Sequence, residues 1–186
     1  MKRKNGCGII VLGKRIVKMK NKNIEDLRFI EAVQERDMDL LLLEELIVSA
    51  EFREWIVKQI TGERIKEFIG AWHSICDSKS EFDIVFIFLS ESGKKYALFI
   101  EDKIGAMAQR NQPQRYASRG HEGIVKKEWD VSKTCIVAPK EYLEMNREAK
   151  EYNSQLSYED ISAWFLKNNS ERHKFKNQKV LACTSA

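Results

Sequence analysis

A chain of 186 residues, 43% hydrophobic and 32% charged, has the length of one domain that buries a real core without disulfide or metal staples. That composition excludes collagen-like, low-complexity and wholly disordered chains, and no apolar run approaches the ~20 residues that cross a bilayer. The net charge of +4 hides an asymmetry: residues 1–24 carry eight Lys/Arg and no acid, residues 167–186 five Lys/Arg and one Glu, and the middle holds 19 basic against 27 acidic residues.

The expected organisation is a basic N-terminal segment (1–24), one domain over 25–166 and a basic C-terminal tail (167–186). Basic ends on an acidic body read either as solvated tails or as arms for a polyanion. Met1 to Gly13 opens with basic residues, but its apolar stretch is too short for a signal peptide. Cys7, Cys76, Cys135 and Cys183 lie far apart and form no CxxC pair. Reduced thiols in a cytoplasmic protein are expected, not a disulfide frame or zinc site.

Helical periodicity runs from Ile24 to about Ile60, and Leu40 to Leu43, Leu46 and Ile47 make a segment expected to be buried. Ser49 then caps a second helix, whose Phe52, Trp55, Ile56 and Ile60 fall at i, i+3, i+4 and i+8, with Thr61-Gly62 as its stop. Ala71 to Cys76 reads as a short strand and Asp77-Ser78-Lys79-Ser80 as a turn. Phe82 to Leu89 is apolar on both faces except at Asp83, the pattern of a strand covered on both sides. Ser92-Gly93-Lys94 turns the chain into a hairpin partner, Lys95 to Ile104. Asn111 to about Arg119 reads as a helix closed by Gly120, and Lys133 to Ala138 as a third long strand ended by Pro139. Leu156-Ser157-Tyr158-Glu159-Asp160-Ile161 is a helix start: Ser157 caps, Asp160 takes the capping-box position, and Leu156 staples onto Ile161. Helices, strands, then a helix, a strand and a helix give an α/β sandwich.

Three ionisable groups interrupt the apolar strands. Side chains alternate along a strand, so Glu101 and Lys103 share a face roughly 7 Å apart while Asp102 faces the other way. Asp83 and Glu101, from adjacent strands, can converge on one hard cation whose shell is completed by water. Lys103 beside it can orient or help deprotonate a bound water, or offset phosphate charge. Such groups are costly unless they pair or bind something, which makes them functional candidates. The plainer reading is a solvated strand end. In the next helix Gln112 and Tyr116 stand one turn apart, as do Arg115 and Arg119. An amide, a phenol and two guanidinium groups suit phosphate or sugar contact. Pro113 fits only a first turn or a kink, so either this helix starts near Asn111 or the Gln–Tyr alignment is distorted. His73, His121 and His173 show no metal-ligand spacing, and Trp55, Trp72, Trp129 and Trp164 read as core residues rather than base-stacking platforms.

Glu81-Phe82-Asp83-Ile84-Val85-Phe86, then Leu98-Phe99-Ile100-Glu101-Asp102-Lys103-Ile104, then Gln112-x-x-x-Tyr116 together resemble the PD-(D/E)XK nuclease superfamily, in particular bacterial members with a Q-x-x-x-Y element. The resemblance runs from about Glu35 to Phe165. Phe82 stands where the motif's name has Pro, a position that supplies no ligand. The resemblance implies a restriction-endonuclease-like three-layer sandwich, with a central mixed sheet of about four strands flanked by helices, over residues 25–166. It implies hydrolysis of phosphodiester bonds with Mg (or Mn), with DNA expected ahead of RNA as the partner. Asp83 and Glu101, with the carbonyl of Asp102, would hold the metal, and Lys103 would position the attacking water. Glu35, with Asp39 second, would be the family's acid on the first core helix. Gln112 and Tyr116 would support the site or touch nucleic acid, with Arg115 and Arg119 beside them. No membrane contact is expected, and a homodimer is expected if both strands of a duplex are cut. The alternative is a catalytically silent nucleic-acid-binding or interaction module of the same fold.

Overall fold

In a computed structural model the chain divides into two units, residues 1–31 and 32–186. The structure describes residues 11–12, 15–16, 33–76, 81–105, 111–168 and 170–184. In the first unit β1 (Val11–Leu12) and β2 (Arg15–Ile16) pair antiparallel. The expected boundary at 24 and the expected turn at 77–80 lie outside the described residues.

The second unit begins its regular structure with α1 (Glu35–Val48), opened by Asp37, whose carboxylate accepts the Gln34 N–H at 3.0 Å. Met38, Leu41, Leu42, Glu45 and Leu46 form its buried stripe, the i, i+3, i+4, i+7, i+8 pattern of a helix with one face covered. Leu40 and Ile47, expected in the core, fall outside that stripe and are 46% and 47% exposed. Helix α2 (Ala50–Thr61) starts where the Ser49 Oγ accepts the Phe52 N–H at 3.2 Å. It stops at Gly62, whose φ of +75° a side chain would disfavour.

Five strands follow the order β3-β4-β5-β6-β7: β3 (Ile65–Cys76), β4 (Glu81–Ser90), β5 (Lys95–Asp102), β6 (Val131–Ala138) and β7 (Ser154–Ser157). The first three pair antiparallel, and β5–β6 and β6–β7 pair parallel, so the sheet is mixed. Five strands replace the expected four or so. β7 is a four-residue strand directly before a helix cap, too short to leave a pattern of its own. β3 starts six residues earlier than expected, because Lys66, Glu67 and Gly70 break its apolar alternation. It can carry them because it is an edge strand.

Helices cover both sheet faces, giving the expected three layers. Helices α1, α2, α5 (Tyr158–Asn168) and α6 (Glu171–Cys183) share one core with Phe86, Leu98 and Val137 of the sheet. On the other face α3 (Gln112–Val125) and α4 (Lys140–Met145) pack over Phe99 and Ile136. Gly120 does not close α3, which continues through it for another turn. A Cβ there would lie 2.5 Å from the Ser132 Oγ, so the glycine lets the helix approach β6. Between α4 and β7 lies a 3-10 turn, Arg147–Glu151. At the start of α5 the Ser157 Oγ accepts the Asp160 N–H at 3.0 Å, and the Ser157 N–H returns a bond to the Asp160 carboxylate. The stretch expected as a basic tail contains α6, whose Val180 and Cys183 are buried. Its Lys176 is buried too, neutralised by Glu44 and Glu45 of α1 at 2.8 and 2.7 Å. Cys135 and Cys183 are free and buried. Among the described residues no helix is long and apolar enough to cross a membrane.

Candidate active site

The ladder between β4 and β5 ends at Ile84↔Ile100. One residue further, the Asp83 carboxylate accepts the Asp102 N–H at 2.9 Å in place of a main-chain carbonyl. The two strands part there, and the polar residues of both gather in the opening. Alternation along β5 puts Phe99 on the α3 side and Ile100 on the α1 side, and continues so that Glu101 faces α3 and Asp102 faces α1. Lys103 follows on the Glu101 side, its N–H extending the parallel ladder to the Val137 carbonyl at 2.8 Å.

Glu101 is 1% exposed and fully engaged. Its Oε1 accepts from the Gln112 amide and from the Lys103 ammonium, each at 2.6 Å. Its Oε2 accepts from the Tyr116 hydroxyl, which also accepts the Asp83 N–H at 3.4 Å. Pro113 sits in the first turn of α3, where its missing N–H costs nothing, so Gln112 and Tyr116 stay in line. Lys103 also lies 3.5 Å from a Glu35 oxygen, and the other Glu35 oxygen accepts the Ile104 N–H at 3.0 Å. The first turn of α1 is thereby tied to the end of β5.

Asp102 lies behind this cluster, fully buried, with one oxygen accepting from the Tyr158 hydroxyl and the other, Oδ2, without a hydrogen-bond partner among the described residues. Asp39, one turn after Glu35, is 5% exposed; its Oδ2 is 3.4 Å from the His73 Nε2, and its Oδ1 has no hydrogen-bond partner among the described residues.

The electrostatics show an excess of acid. Burial, then the charge of Asp83, raises Glu101 from 4.5 to about 7, against the opposing pull of Lys103. Burial, followed by Asp83, Glu101 and Glu35, raises Asp39 from 3.8 to about 8. Asp102 is raised well above its ordinary value by burial and then by Asp39. Burial alone would lower Lys103, but the charge and hydrogen bond of Glu101, then Glu35 and Asp83, hold it above its ordinary value. It is therefore an ammonium group at neutral pH.

The structure thus brings together Asp83, Glu101, Lys103, Glu35, Gln112 and Tyr116. The arginines are placed otherwise. Arg119 stacks 5.3 Å over the Trp129 ring and pairs with Glu128 at 3.4 Å, and Arg115 is half-buried on α3. Sequence reasoning missed His73 beside Asp39 and Tyr158 on Asp102. Tyr158 sits inside the helix-start motif, where it carried no separate signal, and His73 lies on the part-polar edge strand.

Among the described residues no three His, Cys, Asp or Glu side chains are grouped to hold a metal ion. A hard cation of the magnesium type needs less: one or two carboxylates, a carbonyl and water suffice. The surplus of negative charge among the described residues and the raised carboxyl pKa values fit a cation-binding site. A family model described as the PD-(D/E)XK nuclease superfamily matches residues 19–185. No curated protein and no solved structure matches the chain.

Proposed function

We propose that this chain, which belongs to the PD-(D/E)XK nuclease superfamily, hydrolyses phosphodiester bonds in DNA with magnesium or manganese. Membership gives nuclease activity and a nucleic-acid substrate in general terms, and nucleases of this superfamily generally use divalent metals. The finer reading rests on one observation: two acids from parting strands, Asp83 and Glu101, lie beside an ammonium group held 2.6 Å from one of them.

Asp83, Glu101 and the Asp102 carbonyl would hold the cation, which when bound supplies Lewis-acid polarisation of the phosphate and a more acidic water. The remaining work falls to this chain's own groups. Lys103, charged and fixed between Glu101 and Glu35, orients the attacking water by hydrogen bonding and balances charge developing on the phosphate. Gln112 and Tyr116 position the Glu101 carboxylate, one donor to each oxygen. Arg115 and Arg119 lie one turn apart on α3 as contacts for the phosphate backbone. Free, buried thiols at Cys135 and Cys183 are consistent with a reducing, cytoplasmic setting.

One observation favours the silent binding module instead: both Glu101 oxygens already have protein donors. The experiment is cleavage of single-stranded DNA, duplex DNA and RNA by the full chain with magnesium, manganese or chelator. Cation-dependent cleavage that Lys103→Ala removes, with the circular dichroism spectrum unchanged, is expected. No cleavage of any substrate and no binding of either ion overturns the proposal.

A further inference from the structure

Helix α3 packs on β5 and β6. Beyond its edge, over β3 and β4, the same sheet face holds a cavity of about 250 Å³. Its walls include Trp72 of β3, Phe82 and Val85 of β4, Phe99 of β5, and Arg119 and Trp129. Two glycines lay the indoles flat. A Cβ at Gly70 would come within 2.4 Å of the Trp72 ring, and one at Gly123 within 1.9 Å of the Trp129 ring. Trp129 is pinned further by its Nε1–H, which donates to the Gly120 carbonyl at 2.9 Å. Trp72 was expected in the core, yet it is 42% exposed. It is an indole with a face left for a visitor.

Size and chemistry narrow the visitor. The volume falls just below the ~300 Å³ at which drug-sized pockets begin, so it suits one planar ring system. Aromatic walls favour a π-face, and every nucleobase has one. Bases inside a duplex have both faces covered by their neighbours, so only an unpaired base can enter. Arg119, which pairs at 3.4 Å with the 41% exposed Glu128, puts a cation at the wall, and a phosphate of the bound strand can compete for its guanidinium. The cavity also adjoins the reaction site. Phe82 precedes Asp83 in the chain, and its ring meets Tyr116, the donor to Glu101, edge-on at 4.8 Å.

We infer that this cavity takes an unpaired nucleobase of the substrate, stacked on Trp72, with an adjoining phosphate at Arg119. Single-stranded DNA, or a duplex with an unpaired end, is then the substrate class. The inference rests on the nucleic-acid reading above and sharpens it.

The test is fluorescence titration of the full chain, without divalent cation, using a short oligothymidylate and a blunt duplex. The single strand should quench tryptophan emission, and Trp72→Ala should weaken its binding about tenfold while leaving duplex binding unchanged. Gly70→Ala retains the indole but forces it off its seat, and should weaken the single strand in the same direction. Unchanged single-strand binding in both variants overturns the inference, and so does an equal loss for the duplex. A wild-type dimer that Trp72→Ala converts to monomer, without an oligonucleotide effect, assigns the cavity to a second copy and also overturns it. The two proposals fail separately. Trp72-dependent binding with no cleavage of any substrate and no binding of magnesium or manganese sinks the nuclease reading alone, whereas cleavage indifferent to Trp72 sinks the base pocket alone.

Discussion

Helix α1 carries a buried acidic cluster at each end, and the two are built on opposite terms. Near its C-terminus Glu45 is fully buried, but it meets the Arg172 guanidinium, the Lys176 ammonium at 2.7 Å and the His173 Nε2 at 3.9 Å. Neighbouring Glu44 is held below its ordinary value by its hydrogen bond to Lys176, even against partial burial. Near its N-terminus Glu35 and Asp39 join Asp83 and Glu101 around Lys103, with Asp102 behind, and Glu101, Asp39 and Asp102 are all raised. One end is neutralised by the chain itself and fixes α6 in place. The other, among the described residues, keeps more acid than cation, at the point where two strands separate. That imbalance is what a structural ion pair avoids and a cation-binding site requires.

Mutation should separate the two ends cleanly. The largest expected effect is on catalysis: Glu101→Gln removes one carboxylate from the proposed cation site, forfeiting several kcal/mol of charge stabilisation, on the order of 10³-fold in cleavage rate. Its metal-free stability in urea should not fall, because at pH 8 the wild-type carboxylate is ionised in a site whose burial and neighbouring Asp83 disfavour that charge. Next comes Glu45→Ala, which leaves Lys176 buried with Glu44 alone and should cost about 3 kcal/mol or more in urea denaturation. Cleavage per folded molecule should survive it. Should Glu45→Ala abolish cleavage in folded protein, or Glu101→Gln unfold the chain, the division of labour along α1 is wrong.

How much of this could be seen in advance depended on whether a feature was local in sequence. Asp83, Glu101 and Lys103 stand out because charges inside strands must be explained, and Gln112 and Tyr116 because a turn of helix aligns them. The caps at Ser49 and Ser157 are equally local, each written in three or four consecutive residues. What stayed hidden depended on distant partners. Lys176 looks like a solvated charge until Glu45, more than a hundred residues earlier, is found beside it. Leu40 and Ile47 look buried because α1 is apolar on several sides, and only the packing of α1 against the sheet decides which stripe is covered. Trp72 looks like core until β3 proves to be an edge strand.

Titration should sharpen the contrast further. Folding raises Glu101 from 4.5 to about 7 and Asp39 from 3.8 to about 8. Between about pH 4 and 8 the folded state therefore binds more protons than the unfolded chain, and stability falls as pH rises. For Glu101 alone the loss is on the order of 3 kcal/mol, and the metal-free melting temperature should drop by roughly 5–10 °C from pH 5 to pH 9. Magnesium or manganese should restore it above pH 7 and do little at pH 5, where protons already fill the role. A melting temperature that rises through neutral pH without metal would mean that the N-terminal cluster is compensated after all, like the other.

The smallest change tests how finely the uncompensated end is arranged. Tyr116 is held protonated far above its ordinary value by burial, then by Glu101 and Asp83, so it can only donate its proton to Glu101. Tyr116→Phe keeps the ring against Phe82 and deletes the bond to Glu101, together with the longer one accepted from the Asp83 N–H at 3.4 Å. Because the bond favours the charged carboxylate, its loss should raise Glu101 further and shift the acid limb of the pH–rate profile to higher pH. The maximal rate should fall about tenfold, the cost of one charge-assisted hydrogen bond. A purely structural hydroxyl would lower the melting temperature and leave the acid limb where it was. Movement of that limb therefore distinguishes a residue that tunes the acid from one that only packs beside it.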